Sequence, residues 1–280
     1  MRKQLTILSK GTKAWAQWRE DNPGVTINLR GVDLSGADLG GADLSGVNLD
    51  EACLEMADLR GANLSGASLS AADGTGADLN MADLRGAVLG RANLTLADLS
   101  LANLGKANLV WVDLKEANLT DADLGEANLR TADLRRAILI RAKLRGAILR
   151  RTDLSWTNLA AADFSMADLR GALLIRANLK GAVLQGANLK EAYLTDAVLK
   201  GANLAGALLT GANLASADLR EVDLTGAILN GANLAGAVFN EADLTGAALK
   251  GVNLRMAIYD KKTRWPSRFN YQAAGARSDD

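Results

Sequence analysis

The side chains of this 280-residue chain that could do chemistry are its carboxylates and its basic groups. Asp38, Asp58, Asp78 and Asp98 recur at intervals of twenty residues, and a column of carboxylates could bind Ca²⁺ or Mg²⁺. The chain has no histidine, which excludes Ser-His and Cys-His nucleophilic systems and histidine-ligated metals. The sequence also has no phosphate-binding glycine loop and no dinucleotide fingerprint. We therefore predict no catalytic residue, no cofactor and no metal, and a protein that is not an enzyme.

Basic side chains are concentrated past the middle of the chain. Residues 29–129 contain sixteen acidic and six basic residues, whereas residues 130–180 contain four acidic and eleven basic ones. Two interpretations stay open: a solvated surface partly paired with Asp133 and Asp153, or a site for an anionic partner. The candidate partner-binding residues, which we call the basic belt, are Arg130, Arg135, Arg136, Arg141, Arg145, Arg150, Arg151, Arg170 and Lys190.

The elements that must position these side chains follow a period of five residues. Leucine fills 43 of 46 consecutive centres from Leu29 to Leu254, and alanine stands two residues earlier in 38 of the 46 units. The exceptions at the centres are Gly74, Phe164 and Phe239. A period of five matches neither the helical period nor the strand period. The leucines are buried together only if the backbone forms a coil that turns one corner in each five-residue unit. We predict leucine and alanine inside, and corners of positive φ where glycine follows the centre.

The pattern resembles the pentapeptide repeat family, whose consensus reads Ala-(Asp/Asn)-Leu-X-X. The resemblance implies an all-β solenoid, a right-handed quadrilateral parallel β-helix with four units per coil. It would have about 11–12 coils and extend roughly 55 Å at ~4.8 Å per coil. Residues twenty apart would stack, so the four aspartates would form an acidic column. The alternative is that aspartate is simply the usual residue at that position. Gly74 would be a packing defect between Leu54 and Leu94.

Both ends of such a solenoid need caps. We predict a helical cap in residues 1–26, where residues 5–19 are compatible with a helix and Asp21-Asn22-Pro23-Gly24 is a stop signal. The solenoid would cover residues 27–258, and residues 259–280 would form a C-terminal cap with a frayed tail from residue 273. Exposed aromatic residues at either end could instead form a homodimer or partner surface. The capping candidates are Trp15, Trp18, Trp265 and Phe269.

Composition favours a cytoplasmic protein. A single cysteine, Cys53, excludes an internal disulfide and fits a reducing compartment. We find no run of eighteen apolar residues and no signal peptide, so no membrane span is predicted.

The function predicted first is a non-catalytic scaffold on a bacterial repeat protein that binds another protein of unknown identity. The alternative comes from the family resemblance: some members bind DNA gyrase or topoisomerase by mimicking DNA, as in antibiotic resistance. The acidic residues fit that mechanism. The basic belt does not, because a groove that binds phosphates would repel it.

Overall fold

The computed structural model describes residues 2–279 of the chain. They divide into two compact units, with the boundary between Ile138 and Leu139.

The first unit is a stack of backbone coils that each take twenty residues. Parallel bridges join Asn28 to Asn48 and continue in the same register to the bridge between Asn118 and Ile138. The N–H of Leu29 donates to Asn48 O over 2.7 Å, and the N–H of Asn48 donates to Ile27 O over 3.0 Å. Four five-residue units therefore make one coil, as the family resemblance implies.

The second unit repeats the same architecture. Its bridges run from the pair Lys143–Asp163 to the pair Asp243–Arg264, again mostly at a separation of twenty residues. Each unit taken by itself is thus a β-helical stack of coils, and the strands are so short that each contributes single bridged residues between turns.

The interior of each unit consists of the centres and the alanines two residues before them. Leu44 and Ala52 in the first unit, and Leu144 and Ala147 in the second, have no exposed surface. Large and small side chains alternate along the chain, which fills a narrow interior at high density. The expected inward positions are confirmed.

The corners have left-handed backbone conformation. Gly31 and Gly171 adopt φ of 64° and 63°, as expected, but Thr131 adopts the same conformation with φ 56°. A residue with a Cβ atom pays roughly 1–2 kcal/mol in this region. A large side chain at a corner therefore lowers the stability of the fold relative to glycine at the same position.

Two helices precede the first coil. Helix α1 covers Arg2–Leu8 and helix α2 covers Thr12–Asp21. The break between them lies at Gly11, whose φ is 96°, so residues 5–19 do not form one continuous helix. Helix α2 ends at the predicted stop signal, with Asn22 as its C-cap.

The chain after the last coil is paired rather than frayed. Strand β1, Ile258–Tyr259, pairs in parallel with strand β2, Arg277–Ser278. The N–H of Leu254 donates to Ala274 O over 3.2 Å, and Ala276 is buried. A Cβ at Gly275 would lie 3.0 Å from Arg255 Cα, so only glycine allows this approach. The prediction of a frayed tail was wrong for residues 273–279 because these backbone contacts continue the coil pairing.

None of the helices within residues 2–279 has the length and apolar character needed to cross a membrane.

Candidate interaction surfaces

The Asp or Asn before each centre has a local structural role. Its side-chain Oδ1 accepts the backbone N–H two residues later, as in Asn80 N–H to Asp78 (3.0 Å) and Lys180 N–H to Asn178 (3.2 Å). This is an Asx turn, in which the short polar side chain stabilises the bend. The repeat therefore explains most of its aspartates and asparagines without a ligand.

The acidic column exists as a ladder in the first unit. Bridges join Asp38 to Asp58, Asp58 to Asp78 and Asp78 to Asp98. Arg60 lies among them: its guanidinium pairs with Asp58 and its Nε is 3.6 Å from Asp78 Oδ2. The hydrogen bonds from Arg60 lower the pKa of Asp58 to about 2. Asn118 Nδ2 donates to Asp98 over 3.1 Å.

Arg60 thus offsets part of the negative charge at Asp58 and Asp78, while the amide of Asn118 adds a hydrogen bond at Asp98 without adding charge. No group of three or more His, Cys, Asp or Glu side chains within the described residues is arranged to hold a metal ion. Cys53 is half-buried, with its Sγ 3.0 Å from Ser35 Oγ.

Three residues of the basic belt lie in the first unit. Arg135 binds Asp133, with NH2 2.6 Å from Oδ2. Burial of the Asp133 carboxyl works to raise its pKa, but the hydrogen bonds from Arg135 lower it below its ordinary value. Arg136 NH1 lies 3.7 Å from Glu116 Oε1. Arg130 is exposed and has no ion pair among the described residues.

Six residues of the belt lie in the second unit, and two of them share a carboxylate. Arg150 Nε is 2.5 Å and Arg170 NH2 is 2.8 Å from Asp168 Oδ2. Arg150 and Arg170, which we predicted to stack, therefore both pair with the carboxylate of Asp168. This shared pairing reduces the repulsion between the two guanidinium groups.

Other belt residues of the second unit carry uncompensated charge. Arg145, Arg151 and Lys190 are exposed, and none forms an ion pair within residues 2–279. Arg141 is also exposed and interacts with other groups. The second-unit part of the belt is thus partly paired, with three cations that remain available to solvent or a partner.

At the amino-terminal end, Trp15 is fully buried, and its Nε1 donates to Asp43 O over 2.7 Å. Trp18 is half-buried and stacks on Trp15 at a centroid separation of 5.4 Å. Arg19 adds a hydrogen bond of 3.1 Å to Asp43 Oδ2. Helix α2 is therefore attached to the first coils by one large apolar side chain and a charged pair.

At the carboxyl-terminal end, Trp265 lies at the centre of an aromatic cluster. Its ring centroid is 5.5 Å from Phe239, 6.0 Å from Phe269 and 5.0 Å from Tyr271. Phe239 occupies a centre that is leucine in most units. The phenylalanine at this centre is therefore the residue that contacts Trp265. The five-residue period alone does not predict this contact.

Gly74 is a defect that its neighbour largely fills. A Cβ at Gly74 would lie only 2.9 Å from Leu94 Cδ2. The cavity that remains among Leu54, Gly74 and Leu94 is about 10 Å³. The backbone keeps the regular pattern there, since Gly74 N–H donates to Asn93 O over 2.7 Å.

Two exposed tryptophans are the features that sequence analysis missed. Trp111 in the first unit and Trp156 in the second occupy corners, with φ of 63° and 64° and exposed fractions of 61% and 56%. The signal was present in the sequence, because both stand two residues after a centre, where glycine is common.

The coils that follow Trp156 carry further apolar side chains at the surface. Leu173 and Tyr193 are neighbours in one ladder of bridges, and Ile175 O accepts the N–H of Trp156 over 2.9 Å. Tyr193 is 47% exposed, while Leu173 and Ile175 are half-buried. We call Trp156, Leu173, Ile175 and Tyr193 the apolar patch.

These features define a β-helical repeat scaffold whose surfaces, rather than a pocket with reactive groups, are its candidate functional elements. Comparison with family models places the chain more narrowly. The model for pentapeptide repeats matches it in overlapping segments from residue 27 to residue 255. The chain belongs to the pentapeptide repeat family.

Solved structures of the family are also similar. HetL, a pentapeptide repeat protein involved in heterocyst differentiation regulation from the cyanobacterium Nostoc sp. strain PCC 7120, is 34% identical, with a TM-score of 0.30 and coverage of 86% of this chain and 92% of HetL. QnrB1, a plasmid-mediated fluoroquinolone resistance protein, is 20% identical, with a TM-score of 0.37 and coverage of 89% and 92%. Because these TM-scores are low, the assignment rests on the family model. No curated protein sequence matches the chain.

Proposed function

We propose that this protein is a non-catalytic scaffold that binds an acidic partner protein through the basic belt. The observation that carries the proposal is the set of exposed cations in the second unit, Arg145, Arg151 and Lys190, which have no ion pair among the described residues. Charged groups of one sign on a rigid surface steer and select a partner of opposite charge.

The finer architecture belongs to the same proposal. Each unit would be a right-handed quadrilateral β-helix, with residues 27–258 as the repeat domain. Helices α1 and α2 would cap the first coil through Trp15 and Trp18, and Trp265 and Phe269 would cap the last one. A capped end disfavours end-to-end association, so we place the partner on the lateral surface rather than in a homodimer at an end. The setting would be bacterial cytoplasm.

The alternative function is a DNA mimic that binds DNA gyrase or topoisomerase. The ladder of Asp38, Asp58, Asp78 and Asp98 favours it, and QnrB1 is described as a fluoroquinolone resistance protein. Against it, Arg60 pairs with two of the four carboxylates. The belt adds uncompensated positive charge, which a groove for DNA would repel.

A gyrase supercoiling assay separates the two functions. The wild type should not inhibit supercoiling at micromolar concentration. The matched variant carries Arg145→Glu, Arg151→Glu and Lys190→Glu, which alter no ion pair among the described residues. If the wild type inhibits and the variant inhibits more strongly, the DNA mimic replaces the scaffold as the preferred function. Under the scaffold proposal, neither the variant nor the wild type should inhibit gyrase.

A further inference from the structure

The apolar patch is not required by the β-helix. In the ladder that contains it, Asp153 accepts the N–H of Ser155 over 2.9 Å and Asn213 accepts that of Ala215 over 3.2 Å. Leu173 and Tyr193 lie between these two residues in the same ladder. Neither side chain can replace that bond, because neither places an acceptor oxygen at the turn. Both positions therefore lose a local hydrogen bond and expose apolar surface.

Trp156 is also less favourable for the fold than the usual glycine, because of its backbone conformation. Its φ of 64° is the conformation that Gly171 adopts at a nearby corner with φ 63°. The Trp156 ring is nevertheless held in place: Arg176 Cζ lies 4.7 Å from its centroid, and Arg176 Nε lies 3.2 Å from Asp196 Oδ2. An exposed aromatic ring that is already ordered loses little entropy on binding, and tryptophan and tyrosine are enriched among the residues that dominate binding energy.

Charge around the patch identifies the kind of partner. Residues 139–190 contain nine basic and three acidic side chains. The Arg151 side chain borders the patch, since its Cγ lies 3.7 Å from the Cβ position of Gly171, two residues before Leu173. A second copy of the same basic surface would be repelled, whereas a segment with carboxylates beside apolar side chains complements it.

We propose that the apolar patch is the anchor site for an acidic, amphipathic segment of the partner protein. The apolar side chains of the segment pack on Trp156 and Tyr193, and its carboxylates pair with Arg151 and Lys190. This inference rests on the proposed scaffold function and adds the surface and the class of segment that it binds.

The test is a fluorescence anisotropy titration of the full chain into a labelled peptide of glutamate, leucine and phenylalanine. A second peptide of the same length replaces leucine and phenylalanine with serine. Two variants remove the patch: Leu173→Asn with Tyr193→Asn, and Trp156→Ala. The asparagines restore the usual residue of the repeat, so the fold is preserved and the melting temperature checks this.

Matched controls exist in the same chain. Val183→Asn makes the same kind of change in a different ladder of the second unit, between Asp163 and Asn203. Trp111→Ala removes the other exposed corner tryptophan, which lies in the first unit. Arg151→Glu with Lys190→Glu tests the charges alone.

The wild type should bind the amphipathic peptide, and each patch variant should weaken binding by about tenfold or more, as loss of a binding hot spot does. Val183→Asn and Trp111→Ala should bind like the wild type, and the serine peptide should bind weakly to all variants. Patch variants that bind normally, or a wild type that does not bind, overturn the inference.

The outcomes also separate the inference from the proposed function. If Arg151→Glu with Lys190→Glu abolishes binding while the patch variants bind normally, the scaffold proposal stands and the anchor site is wrong. If charge reversal has no effect, the scaffold proposal itself fails. A wild-type dimer in analytical ultracentrifugation that the patch variants lose would instead assign the patch to a second copy and overturn the inference.

Discussion

Arg176 holds Trp156 from one side, with its guanidinium carbon 4.7 Å from the ring centroid of the tryptophan. Arg176 is in turn paired with Asp196, so three successive coils of the second unit are linked along one corner. The exposed ring is therefore part of an ordered network, in a backbone conformation that glycine would adopt more easily.

This relationship predicts opposite effects for two substitutions at Trp156. Trp156→Ala keeps the left-handed φ and loses the contact with Arg176, which is worth about 0.5–1 kcal/mol at an exposed site. Trp156→Gly loses the same contact but relieves the corner, by roughly 1–2 kcal/mol. The glycine variant should therefore be more stable than the alanine variant in urea denaturation. Equal stability, or greater stability for alanine, would show that the corner is unstrained.

Gly74→Leu should raise the melting temperature. Leucine would restore the usual centre, and Leu94 Cδ2, which now occupies part of the space, can rotate back because it is the end of a flexible side chain. The gain should be small, below about 2 kcal/mol, because the site has already collapsed around a cavity of about 10 Å³. Calorimetry decides the sign. A lower melting temperature would mean that Leu94 cannot move and the core is overpacked.

Stability should fall between about pH 4 and pH 2. The pKa of Asp58 is about 2 in the folded chain, against an ordinary value of 3.8, because of hydrogen bonds from Arg60. Above pH 3.8 the contribution of the ionised carboxylate is complete, and it is lost as pH falls through the folded pKa because the unfolded chain binds the proton first. Urea titrations across this range measure the effect.

The control for the pH experiment is Arg60→Gln, which removes the guanidinium that donates to Asp58 and keeps the backbone N–H of residue 60 that also donates to it. The decline of the free energy of unfolding between pH 4 and pH 2 should be shallower in this variant. An identical slope in both proteins would show that the pair of Arg60 and Asp58 does not stabilise the fold.

Trp15→Ala should release helix α2 from the first coils. The side chain is fully buried and its Nε1 is bonded to Asp43 O, and loss of a buried tryptophan costs about 3–5 kcal/mol. Limited proteolysis should then cut within residues 2–24, and light scattering should detect association of the uncovered coils. Trp18→Ala is the milder control because Trp18 is only half-buried. A Trp15→Ala protein that resists the protease and does not associate would contradict the proposed cap.

The repeat period predicts the structure of the coils well because each five-residue unit packs against units of the same sequence pattern. The positions of Leu44 and Ala52, the glycine corners and the separation of twenty residues between bridged partners all follow from local pattern and the family resemblance. The paired tail at Arg277 and the contact between Phe239 and Trp265 do not, since each joins the repeat to a tail segment that lies outside the repeat register.

The candidate site is predicted only in part for the same reason. Basic residues can be counted in a sequence, but the sharing of Asp168 by Arg150 and Arg170 depends on side-chain geometry in adjacent coils. The alignment of Leu173 with Tyr193 follows from their separation of twenty residues, but the exposure of Trp156 and its contact with Arg176 depend on side-chain geometry.

Affinity capture with two baits tests the central claim most directly. The baits are the wild-type chain and the variant with Arg145→Glu, Arg151→Glu and Lys190→Glu, applied to the same bacterial lysate at low salt and identified by mass spectrometry. We predict that the wild type captures an acidic protein that the variant does not, and that this protein elutes as salt shortens the Debye length from about 10 Å at 0.1 M to about 3 Å at 1 M. The same proteins on both baits, or gyrase subunits retained more strongly by the variant, would contradict a scaffold that recognises its partner through the basic belt.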